Sequence, residues 1–254
     1  MVTKKSVATI LAVAVVLFAA IFAAGCTGSD SQTLVVATNA EFQPYEYFDG
    51  GNIVGIDIEI MEAVAKELGM TVKIENMEFD SVITAVASGK ADIVASGLTV
   101  TEDRKKNVDF TQTYVTTKQV ITVNKTATRK IINGVDDLEG AIIGVQLGTT
   151  GDIYVTDYEG DEAGTKVERY NKVADAFQSL NQNKIDAVVV DEQPAIKYSA
   201  ISDDLVILEE EFSLEDYAFA IQKGNTDLLN KVNAALDKLK ADVTIDAIIA
   251  KYIN

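Results

Sequence analysis

Arg104 closes the run Gly97-Leu98-Thr99-Val100-Thr101-Glu102-Asp103-Arg104. Its guanidinium is a planar fork that can donate two parallel hydrogen bonds to one carboxylate. Thr101 stands before two acidic residues, as a helix N-cap does, so a helix is predicted to begin near Glu102. That puts the Gly97–Thr99 backbone and the Thr99 hydroxyl at a strand end, where open α/β sheets hold their ligands. Composition alone favours a plainer reading, with Arg104 an exposed helix residue in Arg104-Lys105-Lys106. Gly148-Thr149-Thr150-Gly151 also follows a predicted strand and precedes a predicted helix. Such a loop offers backbone N–H groups to an anion. Its spacing is not that of a P-loop and no Lys follows its last Gly, which argues against a nucleotide. Asp191 ends an apolar run at 185–190. With Pro194 just beyond, it reads as a helix N-cap.

What is missing narrows the chemistry. The 254 residues (27.3 kDa) contain no His, which removes Ser-His-Asp and Cys-His catalysis and the commonest transition-metal ligand. One Cys removes a disulfide framework and a thiolate zinc cluster. No metal and no cofactor are expected. With 39 acidic against 22 basic residues, the formal charge is −17, and no basic run offsets it, so nucleic acid is disfavoured as a partner. A 48% hydrophobic chain of this length is globular, with one or two domains.

The first residues read as an address. Lys4 and Lys5 precede an apolar run at about 7–24, the pattern of a secretory signal over residues 1–25. The run ends in Ala23-Ala24-Gly25 before Cys26, which resembles a bacterial lipobox, with Ala23 where Leu is usual. Residues 26–32 then read as a lipidated Cys and a polar tether. An uncleaved membrane helix and an ordinary free thiol are the rival readings. Lipid anchor and uncleaved helix both place the rest of the chain outside the cytoplasm and tethered to a membrane.

From residue 33 onward, strands and helices alternate, as in sheets covered on both faces. Strands are predicted at 34–38, 72–74, 91–96, 141–145 and 185–190. Helices are predicted at 57–68, stopped by Gly69, from Asp80 as a cap to about 87, and at 173–181, 228–239 and 244–252. Ser88-Gly89-Lys90-Ala91-Asp92-Ile93-Val94 and Gln182-Asn183-Lys184-Ile185-Asp186-Ala187-Val188 are alike in kind, which suggests two similar lobes. Extended runs at 119–123 and 217–221 read as two crossovers between them. The first lobe would then be discontinuous, at 33–119 plus 218–254, with the second at 120–217.

Gly55-Ile56-Asp57-Ile58-Glu59-Ile60, with Val64, Ala65 and Leu68, resembles the signature of the family 3 extracellular solute-binding proteins, the amino-acid receptors of ABC importers. The resemblance runs from about Thr33 to Asn254. It includes Gly97 to Arg104, Val108-Asp109-Phe110, Gly144 to Thr150 and Asp186 to Asp191. It implies a two-lobed periplasmic-binding-protein (Venus-flytrap) fold of type II with two extended hinge crossovers. It also implies a monomer that binds a free amino acid and hands it to an ABC permease, and no catalysis. By the same resemblance Arg104, Gly97 and Thr99 bind the ligand from one lobe. Gln146, Thr150 and Asp191 bind it from the other, Asp191 taking the ammonium. Phe42 and Phe79 sandwich the side chain, although plain core packing also accounts for them.

Asn39 and Gln146 stand where relatives vary with their ligand. Both are neutral amides, so a glutamine-like ligand is the first expectation. An arginine or lysine receptor is the alternative if Glu41 turns inward; otherwise Glu41 is a solvated loop charge. A cyclohexadienyl dehydratase-like enzyme on the same fold is a further alternative, with carboxylates as its acids. A sensory ligand-binding domain is a third.

Overall fold

The apolar run at 34–38 forms strand β1 (Thr33–Thr38). The computed structural model describes residues 32–127, 129–161 and 164–253. The predicted signal, Cys26 and the tether up to residue 31 lie outside the described residues. After β1 comes a small antiparallel sheet of β2 (Glu41–Phe42), β3 (Glu46–Asp49) and β4 (Asn52–Val54). Next are α1 (Ile56–Glu67), β5 (Thr71–Asn76), α2 (Phe79–Ala87), β6 (Ile93–Val94), α3 (Glu102–Lys105) and β7 (Val108–Phe110). The long strand β8 (Val115–Asn124) leads to a 3-10 turn (Val135–Leu138), β9 (Ile142–Gln146), α4 (Thr150–Asp161), β10 (Lys166–Tyr170), α5 (Val173–Asn181), β11 (Ala187–Asp191) and α6 (Glu192–Ser199). A second long strand, β12 (Leu205–Tyr217), precedes β13 (Ala220–Gln222), α7 (Thr226–Ala241) and α8 (Thr244–Tyr252).

Two five-stranded mixed sheets result, in the orders β5-β1-β6-β13-β7 and β10-β9-β11-β8-β12. In each, a βαβαβ unit supplies three parallel strands with its first strand in the middle, and antiparallel strands extend one side. This is the α/β, two-lobed architecture expected. The residue boundaries of the lobes remain our proposal. The chain passes between the sheets twice, at 111–114 and 218–219. There Tyr114 N–H donates to Tyr217 O (3.0 Å) and Thr111 N–H to Phe219 O (2.9 Å). The run at 119–123 lies wholly within β8, and the run at 217–221 is broken between β12 and β13.

The repeated heptapeptides have the same physical content. After α2, Gly89 N–H bonds Val86 O (3.0 Å) and Lys90 N–H bonds Ala85 O (2.8 Å). After α5, Asn183 N–H bonds Leu180 O (2.9 Å) and Lys184 N–H bonds Ser179 O (2.9 Å). Both are Schellman closures, which need a left-handed residue; φ is 74° at Gly89 and 55° at Asn183. The acid that follows docks each strand onto its neighbour. Asp92 exchanges bonds with Val35, its Oδ2 accepting the N–H at 2.8 Å. Asp186 does the same with Ile142 at 2.7 Å.

Helix faces follow the predicted periodicity. Val173, Ala176, Phe177 and Leu180 of α5 are all buried. Asp80 is not the cap: α2 begins two residues earlier than that cap implies, at Phe79, with Glu78 at the N-cap making no side-chain cap bond. Asp80 sits in the first turn, where its charge still complements the helix dipole, and accepts from Ser81 Oγ at 3.1 Å.

Candidate functional site

The cap at Thr101 forms as expected, its Oγ1 accepting from Arg104 N–H at 3.1 Å. It turns Arg104 inward, to 7% exposure, while Lys105 and Lys106 stay in solvent and pair with Glu102 and Asp103. Arg104 is therefore not the exposed helix residue that composition favoured. Its Nη1 donates to Thr99 O at 2.8 Å and its Nη2 to Gly148 O at 3.1 Å. The guanidinium carbon lies 5.6 Å from the centre of the Phe79 ring, within cation–π range. Gly97 lies beneath the rings of Phe42 and Tyr217. At its φ of +47° a Cβ would come within 2.9 Å of Phe42 Cδ1. Gly97 N–H donates to Asp57 Oδ2 (2.9 Å), whose other oxygen accepts from the Tyr114 hydroxyl (2.6 Å).

The second sheet faces this loop with β9, α4 and β11. Asp191 occupies the N-cap position of α6, yet its side chain makes no cap bond. Oδ2 accepts from Gln119 Nε2 at 2.8 Å, and Oδ1 accepts from the Tyr217 hydroxyl. The carboxylate thus faces the two long strands rather than its own helix. At the start of α4 the capping hydroxyl is that of Thr149, which accepts from Asp152 N–H at 3.2 Å. Thr150 is left to face Gln119 Nε2 at 3.3 Å. Gln146 Nε2 donates to Asn39 Oδ1 (2.9 Å) and Asn171 O (3.0 Å), and Asn39 Nδ2 donates to Met77 O (2.8 Å). Glu41 neither turns inward nor stands alone in solvent. Its Oε1 pairs with Lys172 Nζ at 2.7 Å, and its backbone O accepts from the Tyr198 hydroxyl at 2.7 Å.

All nine expected site residues therefore gather between the two sheets. Six come from the first (Asn39, Phe42, Phe79, Gly97, Thr99, Arg104) and three from the second (Gln146, Thr150, Asp191). Gln119 and Glu215, from β8 and β12, join them. Gln119 Nε2 lies 3.2 Å from Glu215 Oε2, which also accepts from Thr99 Oγ1 at 2.7 Å.

Carboxylates dominate the electrostatics. Burial, and then Glu215 beside it, push the Asp191 carboxyl up to about 8. Burial pushes Asp57 up to about 7 against the pull of the Tyr114 hydroxyl and the Gly97 N–H. Glu46, whose Oε1 accepts from Ser96 Oγ at 3.1 Å, is held well above the usual carboxylate range by burial and then by Asp57. Burial lowers Arg104, and Glu215 and Asp191 oppose that fall. Among the described residues no His, Cys, Asp and Glu cluster is arranged to hold a metal, and no helix is long and apolar enough to cross a membrane.

The sequence reading missed Glu46, Asp57, Tyr114, Gln119, Glu215 and Tyr217 as parts of the site. Asp57 carried a signal: it is a charge on the apolar face of α1, and it is buried. Glu215 carried none: only the structure shows that along β12 Leu214 is 69% exposed and Glu215 3%, so the strand turns its apolar side chain out and its charge in.

The model of the family described as bacterial extracellular solute-binding proteins, family 3, matches residues 34–254. The arginine-binding extracellular protein ArtP of Bacillus subtilis (strain 168) is 33% identical over 256 residues, covering 96% of this chain and 97% of that one. Among solved structures, an ancestral arginine-binding protein bound to arginine is 41% identical, with a TM-score of 0.82, covering 87% of this chain and 98% of that chain. An ancestral arginine-binding protein bound to glutamine is 41% identical, with a TM-score of 0.81, covering 87% and 97%.

Proposed function

The chain belongs to the bacterial extracellular solute-binding proteins of family 3, and we propose that it receives a free amino acid with a cationic side chain, arginine foremost, between its two lobes. One observation carries the cationic preference. Both hydrogens of the Gln146 amide, one of the Asn39 amide and the carbonyl of Asn39 are already engaged, and the buried atom left with no partner at all there is Gln146 Oε1, an acceptor. A guanidinium carries only donors, whereas a glutamine side chain brings a carbonyl that needs a donor of its own. This revises the glutamine-like expectation, which counted two amides without their mutual bond. The arginine-binding relatives support the same direction.

In this reading Arg104 takes the ligand carboxylate, Thr99 and Asp191 take the ammonium, and Phe42 and Phe79 flank the side chain. Thr150 adds a bond from the second lobe. A ligand touching both lobes stabilises only their closed arrangement, so binding shifts the hinge equilibrium. A membrane permease of the ABC class would read that closed form, with Cys26 as the lipid anchor. The protein needs no cofactor for this and performs no covalent step.

The test is titration calorimetry on purified protein, refolded from denaturant to strip carried ligand. Arginine is expected to bind tighter than glutamine by roughly ten- to a hundredfold, the cost of leaving a buried acceptor unpaired. Glutamine at equal or higher affinity would overturn the cationic reading. Silence from all twenty amino acids would overturn the amino-acid reading itself.

A further inference from the structure

We infer that Glu215 contacts the ligand directly and is, with Asp191 and Thr99, the acceptor of its α-ammonium; the inference rests on the amino-acid reading above. Glu215 is 3% exposed and belongs to the long strand β12 rather than to any loop at the expected site. Its two oxygens differ. Oε2 accepts from Thr99 Oγ1 (2.7 Å) and from Gln119 Nε2 (3.2 Å). Oε1 is buried and has no hydrogen-bond partner among the described residues. The Tyr154 hydroxyl lies beside the same carboxylate, and Arg104 and Asp191 are near enough to feel its charge. A buried carboxylate oxygen lacking a donor is costly, so a donor from outside the chain fits this position.

The bond from Thr99 adds a second, independent argument. A hydroxyl has one proton. Donated to Glu215, it leaves only lone pairs on Thr99 Oγ1 for a ligand. Thr99 is thereby set as an acceptor and cannot serve a carboxylate. An ammonium has three N–H donors, and the site holds three sets of acceptors: Glu215 Oε1, Thr99 Oγ1 and the Asp191 carboxylate. Arg104 lies against the same loop, with Nη1 on Thr99 O at 2.8 Å, and its remaining N–H groups are available to the carboxylate end of the ligand. The reversed alternation of β12, Leu214 outward and Glu215 inward, is the kind of local conflict that folds keep where a site requires it.

The test pairs one substitution with two ligands that differ only at the α-nitrogen. L-arginine and its α-hydroxy analogue, and L-glutamine and its α-hydroxy analogue, are titrated into the native protein and Glu215→Gln. The expected result is a loss of about ten- to a hundredfold for the amino acids, with the hydroxy analogues within about threefold of their native affinity. Binding of an analogue also shows that the variant is folded. Glu215→Asp keeps the charge on a shorter arm and is expected to show the same selective loss, only smaller. Equal losses for both members of a pair would make Glu215 a strut and overturn the inference. So would an unchanged arginine affinity. Should glutamine prove the better ligand but lose affinity selectively in the variant, Glu215 stands and the arginine reading falls. Should no amino acid bind the native protein, both fall.

Discussion

Acidification from pH 8 to pH 6 is expected to weaken amino-acid binding about fiftyfold, through Asp191. Burial and Glu215 hold that carboxyl at about 8. A ligand ammonium opposes both effects and favours the ionised form. Half of the Asp191 is ionised at pH 8 and about one part in a hundred at pH 6, so binding below pH 8 must expel a proton. The groups facing Asp191 from neighbouring elements are Glu215 and Tyr217 on β12, Tyr45, Glu46 and, from α3, Arg104. The tyrosines and Arg104 do not titrate in this window, and Glu46, which accepts from Ser96, is separated from Asp191 by the Asp191→Asn comparison below. The sign for stability follows from the same shift. A carboxyl raised above its unfolded value of 3.8 favours the fold when protonated, so the unliganded protein loses stability as pH rises towards about 8. Ligand-induced stabilisation should grow over the same interval. Titration calorimetry at pH 6, 7 and 8, in buffers of different ionisation enthalpy, reads both affinity and proton release. Close to one proton per ligand is expected at pH 6. An affinity constant flat across the range, with no proton released, would refute the reasoning. So would a slope that survives in Asp191→Asn.

Arg104→Ala should weaken every amino acid by more than about a hundredfold, because the ligand carboxylate is left without its charged partner; calorimetry showing retained tight binding would contradict it. Gly97→Ala should destabilise the protein by about 1–3 kcal/mol, since a Cβ there meets Phe42 at 2.9 Å in left-handed backbone, and a thermal melt reads the loss. Lys172→Ala removes the Glu41 pair at the cleft mouth. With Lys172 largely exposed, affinity should fall by no more than about fivefold, and scattering profiles of the unliganded variant should shift toward the open form.

The fold was largely legible because its signals are local and repeated. The two Schellman closures and the acids after them are written in seven residues each, so Ser88–Val94 and Gln182–Val188 suggest two similar lobes from sequence. Helix faces such as that of Val173 to Leu180 needed only the 3.6 period. What stayed hidden was β12. Its sequence, Leu205 to Tyr217, mixes Glu209, Glu210, Glu211 and Asp216 with apolar residues, and it reads as a solvated acidic stretch. Its strand character comes from pairing with β8, a partner 80 to 100 residues away, whose register shifts between Ile207 and Ser213. No period in the sequence survives that irregularity.

The same difference separates the parts of the site. Local punctuation placed Arg104 and Thr99 beside a helix start and Asp191 at a helix cap, while the family resemblance supplied Gln146 and the ligand role of Asp191. Gln119, Glu215 and Tyr217 sit inside strands, so only the meeting of β8 and β12 brings them to Asp191. This placement has a mechanical consequence. Tyr217 is the last residue of β12 before the chain crosses back, and Tyr114 is the first before β8 begins. Their hydroxyls bind Asp191 in the second lobe and Asp57 in the first. Each carboxylate is therefore held by a tyrosine at the edge of a crossover, and Asp57 in turn holds the Gly97 N–H. In the proposed reading, an ammonium docking on Asp191 meets the carboxylate that Tyr217 holds at the end of β12, next to the crossover.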